Sequence, residues 1–330
     1  YCQTGDKERL AKIYPPLLAY HLWLKKHHTW RDGTYWNTGW GCGMDNQPRL
    51  PAGYHEAFDH GHMVWMDTCV QQVLSAKILL SMAEVLGRDD KEALDELRAE
   101  VAHLTTVIND KLWCEEDAFY YDLYRDDTLN HVKTVGAYWA LLADIIPAER
   151  LDRFVAHLDN PAEFKRTHRV PTLSADSPDY RPGGDYWKGS VWAPTNYMVL
   201  KGLEKNGYEK LAYEIACNNL ENVVQVFRDT GTLWENYAPE AVTRGSWFPI
   251  SIMFEYVFGI RPHAGKNTIV WHVNRTERHG VMQYPLGDAD VDLICEARKS
   301  ADEKPQITVH STAPVTVEVH WGDNVEIIEA

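Results

Sequence analysis

Residues 64–86 read VWMDTCVQQVLSAKILLSMAEVL and stop at Gly87. Apolar side chains recur there at helical spacing over a length that no ordinary strand reaches, and the glycine is placed to cap the carboxyl end, so the stretch is a helix. Working outward, residues 7–28 carry Leu10, Ile13, Leu17, Leu18, His21 and Leu24 at the same spacing, with Pro15 and Pro16 expected to bend that helix or start a second segment. Further helices are expected over 90–112, 131–145, 147–158, 193–206, 208–228 and 247–258, two of them stopped by Gly207 and Gly259. Past Pro262 the pattern changes to alternation, in Thr268–Trp271, Val291–Ile294, Ile307–Val309 and Val315–Val319, which reads as short β-strands. The expected organisation is a mainly α chain, with a helical domain over 1–262 and a small antiparallel β-domain over 263–330.

Composition narrows the function classes. The formal net charge of −15 argues against nucleic acid and anionic membrane as partners, because both demand a basic face. No run of eighteen apolar residues is present, so a membrane-spanning helix is not expected. The chain opens on Tyr1 with no charged-then-apolar leader behind it, which leaves the compartment undetermined. Six widely spaced cysteines form no C-x-x-C pair and read mostly as buried thiols. The outlying feature is aromatic: 13 Trp and 17 Tyr against 8 Phe. Rings with a polar handle suit a surface that is apolar on one side and wet on the other, as a sugar-binding surface is.

Three loops between the helices carry the acidic and aromatic residues. The first runs Trp40-Gly-Cys-Gly-Met-Asp45-Asn46-Gln-Pro-Arg49, the second Tyr180 to Trp192 through Asp185-Tyr186-Trp187-Lys188, and the third Trp234-Glu235-Asn236-Tyr237-Ala-Pro239-Glu240, followed by Ser246-Trp247-Phe248. Each has an ordinary reading as well. Asp45 could cap a turn, the second loop could be an aromatic cluster packing itself onto the helices, and Glu235 could be a solvated carboxylate. Together they bring two carboxylates from distant parts of the chain, each among aromatics, and inverting glycosidases use such a pair, one protonating the leaving oxygen and one activating water. The acid must be held protonated, and Trp40 and Met44 could form the apolar wall that does so. His55, Asp59, His60 and His62 have ligand types compatible with zinc, the alternative being a loop that borders the pocket on its aglycone side.

Several stretches resemble bacterial members of glycoside hydrolase family 63, including mannosylglycerate-hydrolase-like enzymes, and more distantly the trehalases of family 37: WGCGMDNQPR over 40–49, LDNPAEF over 158–164, VPTLSADSPDY over 170–180, YWKGSVW over 186–192 and ENYAP over 235–239. The resemblance implies an (α/α)6 toroid and an inverting mechanism, with no metal in the chemistry and no organic cofactor. It places the general acid on Asp45 and the general base on Glu235, with Glu240 as the fallback. It puts Trp40, Asn46, Arg49, Tyr186, Trp187, Lys188, Trp192, Tyr237 and Trp247 on the substrate side, for a small oligosaccharide or glycoside such as an α-glucoside or α-mannoside. The chain departs from the family pattern at Cys42 and Gln47, where serine is frequent, and in the short stretch before Trp247. About eight helices precede residue 262 where a six-hairpin ring needs twelve, so the toroid is expected to be incomplete at its N-terminal side, the chain being a fragment or an open ring. Two rival readings stay open: a non-hydrolytic sugar-binding or degenerate member of the family, and an epimerase or lyase on a similar toroid, for which His131 and His168 would be the proton-transfer groups.

Overall fold

The computed structural model describes residues 1–2, 4–240 and 250–330. The chain divides into two compact units, Tyr1–Ile13 with Pro249–Ala330 and Tyr14–Phe248. The division falls before residue 262, and the first thirteen residues go with the β-rich unit.

The helical unit is built from hairpins. Helix α1 covers Lys7–His27, with Asp6 Oδ1 accepting from the Arg9 amide at 2.8 Å. Contrary to expectation, Pro15 and Pro16 interrupt nothing. Both are exposed, and the carbonyls freed by the two missing amides belong to half-buried Ala11 and exposed Lys12, on a side of the helix that water reaches. Helix α2, Met66–Leu86, ends at Gly87 with φ 63°, its amide reaching the Ala83 and Glu84 carbonyls. Four residues later α3, Lys91–Lys111, returns along it, burying Leu94, Leu97, Leu104 and Ile108.

By length and composition α2 could cross a membrane, so the sequence argument against such a helix does not hold as stated. In the fold this helix buries Val70, Val73, Ala76 and Leu79, together with Asp67 on an arginine, as the core helix of a folded unit does.

Residues 113–130, without an element in the sequence reading, form a short β-ribbon. Trp113–Cys114 pairs with Phe119–Tyr120, and Asp122–Tyr124 pairs with both Met63–Val64 and Leu129–Asn130. The expected helix over 131–145 is shorter than its apolar pattern suggests. A 3-10 turn at Val135–Tyr138 leads into α4, Trp139–Ala143, which Asp144 ends at φ 54°. Helix α5 is Ala148–Ala156, α6 is Ala193–Lys205 and α7 is Glu209–Thr230, capped by Gly231. Helices α4 and α6 touch at Gly202, where a methyl group would lie 2.6 Å from Leu141 Cβ. Of the expected helix 247–258, residues 247–249 lie outside the described residues; the rest is a turn, Ile250–Ile252, passing into a π-helical turn at Met253–Val257.

The other unit holds two sheets. Strands β1 (Ile260–His263), β2 (Thr268–His272), β6 (Thr316–Trp321) and β7 (Asn324–Glu329) form one, in the order β7-β6-β2-β1, with β2 and β6 parallel. Pro262 sits on the edge strand, where a missing amide costs no ladder bond. Strands β3 (His279–Leu286), β4 (Ala289–Cys295) and β5 (Ile307–Ser311) form the second, antiparallel in the order β5-β4-β3. Alternate residues, among them Ile269, Trp271, Val291, Leu293, Val317 and Val319, make a shared apolar core.

Candidate active site

The site is a matter of how three loops of the helical unit are tied together. The acid-bearing loop begins as one helical turn, Gly39–Cys42, with Thr38 Oγ1 accepting from the Gly41 amide at 3.0 Å and Gly43 ending it at φ 77°. Glycine is demanded at 39, where a Cβ would come within 2.4 Å of the Glu56 carbonyl and 2.8 Å of that of Asp45. Two residues then sew this loop to the rest. Asn46 Oδ1 accepts from the Trp187 amide at 2.8 Å and its Nδ2 donates to the Asp185 carbonyl at 3.1 Å, while Gln47 Nε2 donates to the Thr172 carbonyl at 2.9 Å.

The loop so captured, 185–192, is also paired with the third. Val191 and Tyr237 exchange both backbone hydrogen bonds, at 2.8 and 2.9 Å. The YWKGSVW segment is thus the common strut between the segments that carry Asp45 and Glu235. Its first residue, Tyr186, adopts φ 56°, a left-handed conformation that a tyrosine takes only when its surroundings impose it. The Tyr186 hydroxyl is held above its ordinary pKa, first by burial and then by the negative charges of Glu235 and Asp45, with a hydrogen-bonding interaction to Glu235 adding to the effect. One phenol therefore feels both carboxylates.

A family model, the mannosylglycerate hydrolase MGH1-like glycoside hydrolase domain, matches residues 1–247. The chain belongs to this glycoside hydrolase family. Among its relatives are a mannosylglycerate hydrolase of Rubrobacter radiotolerans, 28% identical over 49% of this chain and 35% of the relative, and a probable mannosyl-oligosaccharide glucosidase of Schizosaccharomyces pombe, 23% identical over 70% of this chain and 32% of the relative. The fold is that of a family 63 mannosylglycerate hydrolase of Thermus thermophilus solved with glucose, at TM-score 0.63 and 23% identity over 76% of this chain and 68% of that one. A neutral trehalase of Saccharomyces cerevisiae is a more distant fold neighbour, at TM-score 0.55 and 16% identity over 64% of this chain and 40% of that one. The chain spans 65% of one curated relative and about a third of the next two.

Within this hydrolase domain the remaining candidate residues fall into different places. Trp40 is 65% exposed and meets Phe58 edge-on at 5.0 Å, so the pair forms an exposed aromatic rim beside the acid loop. Met44 is buried under that loop. Trp187 and Trp192 do not present free faces. They are buried and stack on each other at 4.0 Å, with Tyr186 edge-on to Trp192, which is the packing alternative for this loop. Lys188 Nζ lies 3.6 Å from a Glu56 carboxylate oxygen. Trp247 lies outside the described residues.

Two expectations are corrected. Arg49, 3% exposed, points into the unit: its guanidinium grips Asp67 (2.7 and 3.0 Å) and Asp122 (2.7 and 2.6 Å) in two bidentate pairs and lies over the Trp65 ring. Burial alone would ease its proton off, but the two carboxylates more than offset that and keep it charged. Four of its five N–H groups are spent on these carboxylates, and Nη1 also lies 4.0 Å from Cys42 Sγ, so it anchors the Asp45 loop from below. The Tyr237 side chain is likewise buried, packing with Val191, Val223 and Val226.

Glu240, the alternative base, is bound to Arg166, accepts from the Tyr180 hydroxyl at 2.9 Å and lies 3.2 Å from Thr167 Oγ1. Burial tends to raise its pKa, and these donors outweigh it, so the group sits below the usual carboxylate range. Cys42, in the same loop as Asp45, is half-buried, and burial pushes its thiol up to about 12. Of the histidines weighed for other chemistry, His168 is buried with Nδ1 2.6 Å from the Ala238 carbonyl, and His131 faces Asp117 at 2.8 Å. The His55–His62 loop packs its rings against aromatics, with His60 between Trp30 and Trp36.

Proposed function

We propose that this chain carries the chemistry of an inverting α-glycoside hydrolase on an (α/α)6 toroid, with Asp45 as general acid and Glu235 as general base. In this reading Asp45 protonates the glycosidic oxygen while Glu235 takes a proton from the water that attacks the opposite face of the ring. The observation that carries it is the common strut: a single segment is bonded to both carboxylate loops, and its leading tyrosine feels both charges. A phenol that feels both carboxylates can hold the water or a sugar hydroxyl while the acid and base trade protonation states. The substrate is a small α-mannoside or α-glucoside, and the relatives named for mannosylglycerate hydrolysis favour a sugar joined to a short hydroxy acid. Trp40 and Phe58 offer the exposed aromatic edge for the sugar or its aglycone.

The test is to incubate the chain with α-mannosyl and α-glucosyl glycerate and with α-linked disaccharides, following the anomer first released by NMR. Release of the β-anomer is expected, falling by about 10²–10⁴ in both Asp45→Asn and Glu235→Gln. Release of the α-anomer, or full activity in Glu235→Gln, would overturn the assignment. Binding without any turnover would favour the degenerate-member alternative.

A further inference from the structure

Away from these loops, the β-ribbon over 113–130 brings together three side chains of different ligand types. Cys114 ends its first strand, Asp117 sits in the turn that follows, and His131 comes directly after the last strand, Leu129–Asn130. The Cys114 sulfur, an Asp117 carboxylate oxygen and a His131 ring nitrogen all lie within 4.8 Å of one another, and this is the one such group of three potential ligands among the described residues. We propose that Cys114, Asp117 and His131 bind one divalent cation of the zinc class.

Several features fit the ion. A tetrahedral zinc with bonds of about 2.0–2.3 Å keeps its ligand atoms roughly 3.3–3.6 Å apart, so the observed spacing needs only small side-chain adjustments. One thiolate and one carboxylate balance a 2+ charge, which leaves the occupied site neutral. The set mixes a soft donor, an imidazole and a hard oxygen, which selects zinc or cobalt over calcium or magnesium, since those prefer all-oxygen shells.

In this structure the same carboxylate gathers donors. Asp117 Oδ2 lies 2.8 Å from His131 Nδ1 and 2.9 Å from the Tyr121 hydroxyl, with the Cys114 sulfur within 4.8 Å. The cation would take the place of the thiol proton, releasing it to solvent, and of the ring hydrogen bond. Tyr121 would remain as the outer partner that orients the carboxylate. The backbone is braced too: His157 Nε2 lies 3.0 Å from the Asp117 carbonyl, and Tyr121 stands against the His131 ring at 4.9 Å. His131 is 58% exposed and Asp117 32%, so water or an outside ligand can fill the fourth position. None of the three residues belongs to the glycosidase machinery proposed above, so this inference stands apart from that reading.

The test uses the whole chain, stripped of metal and titrated with Co²⁺ and then Zn²⁺. One Co²⁺ per chain is expected, with the near-ultraviolet thiolate-to-cobalt band and the intense visible bands of a tetrahedral site, displaced by Zn²⁺. Cys114→Ser should abolish the thiolate band, and His131→Gln should weaken binding at least tenfold, whereas His60→Gln should change neither. Zinc should also shield Cys114, and not Cys217, from alkylation in the unmodified chain, a measurement that needs no variant to fold. No stoichiometric binding, unaltered alkylation of Cys114, or binding that survives both Cys114→Ser and His131→Gln would overturn the proposal.

Discussion

Among single residues, the two acidic candidates of the third loop are separated by what surrounds them. Glu235 is exposed and interacts with Tyr186, whereas Glu240 is consumed by Arg166, Tyr180 and Thr167. A carboxylate whose folded pKa is lowered stabilises the fold fully above its unfolded value of about 4.3, and that contribution fades as pH falls through the lowered one. Glu240→Gln should therefore cost about 1–2 kcal/mol at pH 7. In urea unfolding over a pH series, the gap from the parent should close as acid is added below about pH 4. Turnover at pH 7 should stay within about twofold; a hundredfold loss of activity with unchanged stability would instead move the base to Glu240. The same contrast shows what a motif can convey. Asp45, Asn46 and Arg49 are neighbours in one legible run, yet Asn46 bridges to Trp187 while Arg49 turns inward to Asp67 and Asp122. Which way a side chain points is decided by partners far along the chain, and two carboxylates 18 and 73 residues away leave no mark on the run itself. The nearest available signal was Asp67, a charge inside the most apolar helix of the chain, which had to be paired with something.

For the elements, period and punctuation were enough for α3, which buries Leu94, Leu97, Leu104 and Ile108 along one stripe behind its Asp90 cap, and for α2, whose long apolar run ends at Gly87 although its first turn is buried on every side. They failed where pairing partners decide. Strand β3 carries Gly280 and Pro285 and shifts register between Val281 and Tyr284, so its alternation is broken in sequence although it pairs along its length with β4. The ribbon at 113–130 consists of two- and three-residue strands, too short to show a period. Close helix contacts were invisible for the same reason. Gly202 lets α6 lie against α4, and alanine there would place Cβ 2.6 Å from Leu141 Cβ and 3.1 Å from the Leu142 amide nitrogen. Alanine is the better helix former by about 1 kcal/mol, but overpacking against a backbone atom costs about 1–3 kcal/mol, so the clash should win. Gly202→Ala should lower the urea midpoint by the equivalent of about 1 kcal/mol with an unchanged slope. A raised midpoint would mean that the two helices can separate without loss.

For the molecule as a whole, charge offers a way to learn what kind of substrate it handles. The formal net charge is −15. Spread about 25 Å from an approaching anion, such a charge repels it by roughly 2.5 kcal/mol in water without salt. Ions screen this over a Debye length of about 30 Å at 0.01 M and about 8 Å at 0.15 M. The difference between those conditions is about 1.0 kcal/mol, or roughly fivefold in the encounter with a singly charged anion. A glycoside of a hydroxy acid carries such a charge at neutral pH, and a neutral disaccharide does not. If the natural substrate class is the acidic one, kcat/KM for an α-mannosyl or α-glucosyl glycerate should rise about fivefold over that range of salt, while the value for a neutral α-disaccharide stays flat. A flat response for both would mean that cations of the second loop, Lys188 and Arg181, whose amide donates to the Lys188 carbonyl at 2.8 Å, cancel the global field at the pocket. A fall with added salt for the anionic substrate would mean that the site is locally positive, with the carboxylate held directly by one of those cations.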